Sequence, residues 1–328
     1  MPVLPEPEYS PLLPFRNGHV HTIYPTLFRP EPSTAPVRER IDTPDRDFLD
    51  IDWHLTGQPG NRTAAIINHG LEGNSRKKYP LGMARRMNQI GLDAVCLNFR
   101  CCSDTPNRLP RLYHSGVTDD LDTVIRHVIR QGYECIFPIG FSIGGNQVLK
   151  YLGEDPDLVP DQVRGAVAFS VPCDLSGSAA RLDSSANRFY LPYFMRGLRQ
   201  KIRLKAEMFP SVIEAKNLNK TWTFHEFDNR FTAPMYGFRD AEDYYARASC
   251  RQFLKNIRVP SLVVQAEDDP FLCPSCYPFQ EAMDNPHIFL ETPRYGGHVG
   301  FHLPGKDNVY WSEYRAGEFV LSFSFRAN

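Results

Sequence analysis

Short apolar runs recur along the chain at residues 64–68 (AAIIN), 94–99 (AVCLNF), 136–141 (IFPIGF), 166–171 (AVAFSV) and 261–265 (SLVVQ). Runs that are apolar at every position suit strands buried on both faces, as in a parallel sheet. Helical spacing separates the first of them. Residues 79–90 carry Met83, Met87 and Ile90 on one face. Leu121, Val124, Ile125, Val128 and Ile129 fall at i, i+3, i+4, i+7 and i+8 and form the apolar stripe of an amphipathic helix. Residues 37–56 instead alternate apolar and polar positions, which predicts an antiparallel hairpin. Residues 288–291 read as a last strand. Strand alternating with helix predicts an α/β fold, a mostly parallel, doubly wound sheet.

Residues 175–250 break this rhythm. They are mostly helical in pattern, aromatic and basic, and they separate two core strands. A connection of this length predicts an inserted cap over the C-terminal edge of the sheet, where open α/β sheets bind ligands. Residues 1–36 are rich in proline and are expected to wrap the surface. The expected organisation is thus a wrapping segment (1–36), a core in two pieces (37–174 and 251–328) and a cap (175–250).

Composition narrows the function classes. Lys and Arg total 37 and Asp and Glu 38, for a net charge of −1. A broad nucleic-acid-binding surface would need a basic excess, so no nucleic-acid partner is expected. No stretch approaches the ~20 apolar residues of a membrane-spanning helix. The first residues lack the basic start and apolar core of a secretory signal. Eight cysteines in 328 residues do not make a disulfide framework. A reducing, cytoplasmic setting is expected.

The candidate chemistry begins at residues 140–145 (GFSIGG), between the run 136–141 and a helical pattern at 146–152. G-x-S-x-G between a strand and a helix is a nucleophile elbow. The turn is sharp, so Ser142 needs small neighbours, and Gly140 and Gly144 supply them. The plainer alternative is a glycine-rich turn or a phosphate-binding loop. A serine nucleophile needs a base, and the base needs an orienting carboxylate. On this fold they follow in the order Ser, acid, His. Residues 261–265 run into Glu267, Asp268, Asp269 and Pro270. Asp269 is the expected acid, with Asp268 and Glu267 as solvated neighbours. Of His287, His298 and His302, His298 is the expected base, because glycines bracket it in residues 295–300 (YGGHVG) and let a loop carry it over the sheet edge. Backbone N–H groups of Leu71, in residues 68–73 (NHGLEG), and of Ile143, after the serine, are the expected oxyanion donors. His69 is expected to brace its loop.

Two other constellations compete. Cys273 and Cys276 form C-x₂-C, and His298 and His302 form H-x₃-H, which together resemble a zinc site. However, 21 residues separate Cys276 from His298, against the usual ~12–15, and a predicted strand lies between them. Cys101 and Cys102 have no assigned base. No metal and no cofactor are expected.

The same chain carries longer signatures: residues 17–24 (NGHVHTIY), 69–73 (HGLEG), 98–102 (NFRCC), 107–116 (NRLPRLYHSG), 227–232 (FDNRFT) and 268–272 (DDPFL). With these and the triad candidates, the sequence resembles the YheT-like family of α/β-hydrolases along nearly its whole length. It is similar also to their eukaryotic abhydrolase-domain relatives, which include phospholipid and acylglycerol hydrolases. The resemblance implies the α/β-hydrolase fold and hydrolysis of carboxylic, small-molecule or lipid esters, with Ser142, Asp269 and His298 as the triad. An acyltransferase on the same triad and a non-catalytic binding protein are the alternatives. Dehalogenase or epoxide-hydrolase chemistry usually needs an Asp nucleophile, which Ser142 argues against. Two positions depart from the family pattern: Cys101 stands where a glycine is usual, and His21 where a glutamine is usual.

The cap raises one further question. Phe189, Tyr190, Tyr193, Phe194 and Met195 precede Arg196, Arg199, Lys201, Arg203 and Lys205. The plain expectation is a buried aromatic cluster followed by a solvated basic helix. The alternative is an acyl pocket with a basic face toward an anionic headgroup or membrane surface, a peripheral contact.

Overall fold

Eight strands form one sheet in the order β1-β2-β4-β3-β5-β6-β7-β8. They are β1 (Val37–Asp42), β2 (Phe48–His54), β3 (Thr63–Asn68), β4 (Asp93–Asn98), β5 (Cys135–Phe141), β6 (Ala166–Phe169), β7 (Ser261–Val264) and β8 (Ile288–Glu291). β1–β2 and β2–β4 pair antiparallel, and from β4 to β8 every pairing is parallel. The structure is a computed structural model that describes residues 3–303, 305 and 308–324. Residues 1–2 of the expected wrapping segment, and 304, 306, 307 and 325–328 of the expected core, lie outside the described residues.

The continuous apolar runs follow from burial on both faces. Ala64 and Ile66 of β3 enter one apolar cluster, and Ala65 and Ile67 enter the other. Helices α3 (Asp119–Arg130) and α4 (Ile143–Glu154) cover the first face through Leu121, Val124, Ile125 and Val128 and through Val148, Leu149 and Leu152. Helix α2 (Lys78–Gln89) and the C-terminal helix Trp311–Ser324 cover the second through Met83 and Met87 and through Phe319 and Val320. Each such buried side chain contributes about 1.5–3 kcal/mol.

The hairpin departs from simple alternation. Every residue of β2 is buried, including Asp50 and Asp52. The cross-strand register sets Arg38 opposite Asp52 and Arg40 opposite Asp50. Arg38 bonds both oxygens of Asp52 at 2.7 and 2.9 Å, and Arg40 those of Asp50 at 2.8 and 2.9 Å. Two-pronged pairing of this kind offsets the cost of removing the carboxylates from water.

The N-terminal segment reaches both β8 and the start of a helix. Leu4 donates its N–H to Leu290 O at 2.8 Å, beside β8. Helix α1 (Gly18–Phe28) then starts at Asn17, whose side chain accepts the N–H groups of His19 and Val20.

Between β6 and β7 the chain forms α5 (Leu175–Asp183), α6 (Leu191–Met208) and a series of shorter helices and turns. This insertion has its own apolar cluster, including Met195, Leu198, Ile202, Phe224, Phe227 and Tyr244. The basic run of α6 fits the expectation of a solvated helix only in part, with Arg196 and Arg203 exposed. Lys201 and Lys205 turn inward, Lys205 donating to Asn107 O at 2.7 Å and Leu109 O at 2.6 Å. Arg199 lies over the Trp222 ring at 4.4 Å, and Arg203 bonds Asn219. Two of the five cations of the supposed basic face are therefore internal wiring. Among the described residues no helix is long and apolar enough to cross a membrane.

At the end of β4, Arg100 is buried among three carboxylates. Its guanidinium reaches Asp120 at 2.6 Å, Asp47 at 2.8 Å and Asp45 at 3.0 Å. Cys101 follows with φ 62°, the left-handed conformation that disfavours a residue with a β-carbon. A glycine would adopt it without that cost. Cys101→Gly should therefore raise stability, by about 1 kcal/mol. A thermal melt checks this, and an unchanged or lowered midpoint would show that the thiol's contacts with the inserted cluster outweigh the backbone strain.

Candidate active site

Ser142 occupies the single residue between β5 and α4, with φ 54° and ψ −122°. The turn leaves no room beside it. A β-carbon on Gly144 would lie 2.6 Å from Asn68 O, and one on Gly140 would lie 2.5 Å from the Gly145 Cα. The Ser142 N–H donates to Phe169 O at 2.8 Å, and its carbonyl accepts Asn146 N–H at 3.0 Å. The strained backbone is thus held on both sides, and the hydroxyl stands at the carboxyl end of the sheet.

Three side chains from separate loops meet there. His298 Nε2 lies 2.9 Å from Ser142 Oγ. His298 Nδ1 lies 2.9 and 3.1 Å from the two oxygens of Asp269. Asp269 is fully buried and also accepts the Phe271 N–H at 2.9 Å. The Phe271 ring packs against the imidazole with centroids 4.4 Å apart. The sequence expectation therefore names three residues that come together in the order Ser–His–Asp.

The neighbours of Asp269 need a correction. Asp268 is partly buried, not a solvated bystander. Its Oδ1 accepts the Gly297 N–H at 2.8 Å, and burial pushes its carboxyl up to about 6. It braces the loop that carries His298. Thr22 of α1 does the same, accepting the His298 N–H at 2.8 Å, and Ser170 accepts the Val299 N–H at 2.9 Å. Ser170 takes φ 52° and ends β6 at Phe169, two residues before the apolar run predicts. None of these three braces was singled out from sequence, because each acts through a single contact distant along the chain.

His21, where the resemblance leads one to expect glutamine, is buried, and burial pushes its ring down to about 3. The neutral ring accepts the His302 N–H at Nε2, 2.7 Å away, a role that an amide oxygen can also fill. His302 stacks on Phe15 with centroids 4.2 Å apart. The zinc alternative therefore does not assemble. His298 and His302 are committed elsewhere, while Cys273 and Cys276 lie 3.6 Å from each other beside Asp174 and Ser178. Among the described residues no group of three potential ligands gathers.

Opposite the serine runs the loop after β3. Gly70 gives its N–H to Tyr79 Oη at 2.7 Å and its carbonyl to Gly73 N–H at 3.0 Å. Leu71 N–H makes no hydrogen bond among the described residues. Ile143 begins α4, so its N–H has no intrahelical partner. His69 is fully buried, and burial pushes it down to about 3. Its Nε2 accepts the Phe99 N–H at 3.2 Å, which leaves the proton on Nδ1 to donate to Gly70 O at 2.7 Å. It braces the loop and is kept from the serine by these bonds.

A cavity of about 670 Å³ opens over the serine. Phe189, Tyr190, Tyr193 and Phe194 line it, together with Leu71 and Phe271, whereas Met195 is buried in the insertion's own cluster. Asp228 also lines it, bonded to Thr232 Oγ1 at 2.6 Å and Tyr245 Oη at 2.8 Å, and burial pushes its carboxyl up to about 6.

The chain is similar to known proteins along most of its length. A model of the alpha/beta hydrolase fold matches residues 64–303. YheT of Escherichia coli (strain K12) is 32% identical over 298 residues, covering 90% of this chain and 87% of YheT. Phospholipase ABHD3 of Bos taurus is 30% identical over 293 residues, covering 84% and 70%. Among solved structures, the esterase Pf2001 of Pyrococcus furiosus superposes with a TM-score of 0.59 at 16% identity, covering 89% of this chain and 91% of that one, a likeness of fold alone. The family match across most of the chain, and an alignment with YheT that spans nearly all of both proteins, place this protein in the α/β-hydrolase fold family, in its YheT-like branch.

Proposed function

We propose that this protein is a serine carboxylesterase in which Ser142, His298 and Asp269 form the catalytic triad. The observation that carries this reading is the continuous relay from Ser142 Oγ through His298 to buried Asp269, with 2.9 Å on each side of the imidazole. His298 takes the hydroxyl proton as Ser142 Oγ attacks the ester carbonyl. Asp269 holds the ring with its Nδ1 proton inward and stabilises the imidazolium. The N–H groups of Leu71 and Ile143 stabilise the oxyanion. Collapse of the tetrahedral intermediate releases the alcohol, which takes the proton from His298, and leaves an acyl-enzyme. Water, deprotonated by His298, then releases the acid. No step draws on a metal or cofactor.

Residues 175–250 act in this reading as a cap that supplies the acyl pocket, with residues 1–36 and the two core pieces making up the rest. The aromatic lining of the cavity favours an apolar acyl group. The relative ABHD3 is named as a phospholipase, which is consistent with a lipid ester. The setting is proposed to be cytoplasmic.

Ser142→Ala should lower kcat by on the order of 10³-fold or more on p-nitrophenyl esters while the protein stays folded. A series from C2 to C16 on both proteins gives the chain-length preference at the same time. More than a tenth of wild-type activity in the variant would remove Ser142 from the mechanism. Product analysis with an added alcohol separates hydrolysis from acyl transfer.

Asp269→Asn should cost up to ~10⁴-fold in kcat, because the amide favours the wrong imidazole tautomer. Asp268→Asn keeps an oxygen for Gly297 N–H and should cost far less. Side-by-side kinetics that ranked the two in the opposite order would reassign the acid.

A further inference from the structure

We infer that Glu72 is a positioning residue that latches the oxyanion loop to cap helix α6, so that stabilisation of the oxyanion depends on where that helix sits. The inference rests on the proposed esterase reading and adds a coupling between cap and chemistry. It begins with the turn itself. Gly70 O accepts Gly73 N–H at 3.0 Å, which makes Leu71 and Glu72 the two central residues of a four-residue turn. Glu72 takes φ 54° there, a conformation that favours glycine at this position. A glutamate in that place is held by what its side chain and backbone meet.

Those contacts come from two other elements. The Glu72 N–H donates to Tyr113 Oη at 3.0 Å, and the Tyr113 hydroxyl donates to Glu72 Oε1 at 2.6 Å. Lys201, on α6, donates from Nζ to both carboxylate oxygens at 2.6 and 2.7 Å. The side chains of Glu72 and Lys201 are only 7% and 14% exposed. One helical turn before Lys201 stands Gly197, and a β-carbon there would collide with the Glu72 carboxylate. Glycine is the weakest helix former apart from proline, yet α6 keeps one in its interior where the carboxylate enters. The helix is thus shaped to receive Glu72 and charged to hold it.

The geometry of the other end explains what the latch does. Gly70 N–H is pinned to Tyr79 Oη, and a β-carbon on Gly70 would lie 3.2 Å from the Ser142 Cβ. Leu71 lies between these two anchors along the chain and lines the same cavity as Ser142. An oxyanion donor acts only when it lies about 2.7–3.1 Å from the charge it stabilises. Releasing one anchor lets the turn relax out of its left-handed conformation and moves that donor.

The test uses the full-length protein and a soluble p-nitrophenyl ester. Lys201→Met should lower kcat about tenfold or more, since removing an oxyanion donor costs ~10²–10³-fold, while KM changes less than about threefold. The Ki of a trifluoromethyl ketone, whose hemiketal with Ser142 carries the same oxyanion, should rise by the factor by which kcat/KM falls. Lys201→Arg should recover most of the activity. Arg203→Gln, on the same helix but bonded to Asn219, should leave both readouts at wild-type values. Should Lys201→Met fail to fold because it buries Glu72 unpaired, Glu72→Gln/Lys201→Met and Tyr113→Phe carry the same two readouts. Folded variants with kcat within about twofold of wild type, or with lower kcat and unchanged Ki, would overturn the latch. Ester hydrolysis that persists in Ser142→Ala would instead remove Ser142 as the nucleophile of the proposed reading, so the two failures are distinguishable.

Discussion

A side-chain hydroxyl can stand above the end of a parallel sheet only if the backbone beneath it leaves the strand abruptly, and the site follows from that constraint at Ser142. Its φ of 54° with ψ −122° is a conformation that costs of order 1–3 kcal/mol and persists only where the surroundings over-determine it. Here they do. β6 takes the serine N–H, the first turn of α4 takes its carbonyl, and Gly140 and Gly144 let α4 and the β3 loop close in. The close approach that makes glycine necessary at 144 is an approach to the carbonyls of Asn68 and His69. The strain that presents the Ser142 hydroxyl and the contact that brings up the loop after β3 are therefore one packing event.

The imidazole is harder to place, because it arrives on a loop with no regular structure of its own. Gly297, Val299 and Phe301 all have positive φ within five residues. Such a path holds only when its amides are taken up, and here that happens from three directions. Asp268 accepts Gly297 N–H, Thr22 accepts His298 N–H and Ser170 accepts Val299 N–H. Gly18 allows α1 to press against the Asp268 carbonyl. The N-terminal segment thereby belongs to the site's support.

This division explains what could be read from the sequence. The strands were legible because burial on both faces leaves unbroken apolar runs, and Ser142 was legible because its strain demands glycines at fixed offsets. Asp269 and His298 were legible from their position after the last two strands. The supports were not. Thr22, Ser170 and Asp268 each act through one hydrogen bond to a residue 29 to 276 positions away, which leaves no periodicity to detect. The basic run of α6 misled for a related reason. Composition registers charge but not its partner, so inward-facing Lys201 and Lys205 look the same in sequence as solvated lysines. The burial of Asp50 and Asp52 was out of reach for the same reason, since only the register of β1 against β2 shows the arginines opposite them.

Buried charge also links the scaffold to the site. Arg100 takes Asp47, Asp45 and Asp120 into one cluster. Asp47 in turn accepts Asn107 Nδ2 at 2.6 Å and Arg108 N–H at 2.6 Å, which holds the long loop after β4. That loop carries Tyr113 to Glu72, and its carbonyls at Asn107 and Leu109 receive Lys205 from α6. An apolar contact could join the same elements, but it would tolerate sliding. Charged groups removed from water tolerate neither sliding nor loss of a partner, because the residue left behind is an unpaired buried ion. Placing such groups between the hairpin, the β4 loop and α6 fixes the inserted helix relative to Ser142, and that placement determines the shape of the cavity they both line.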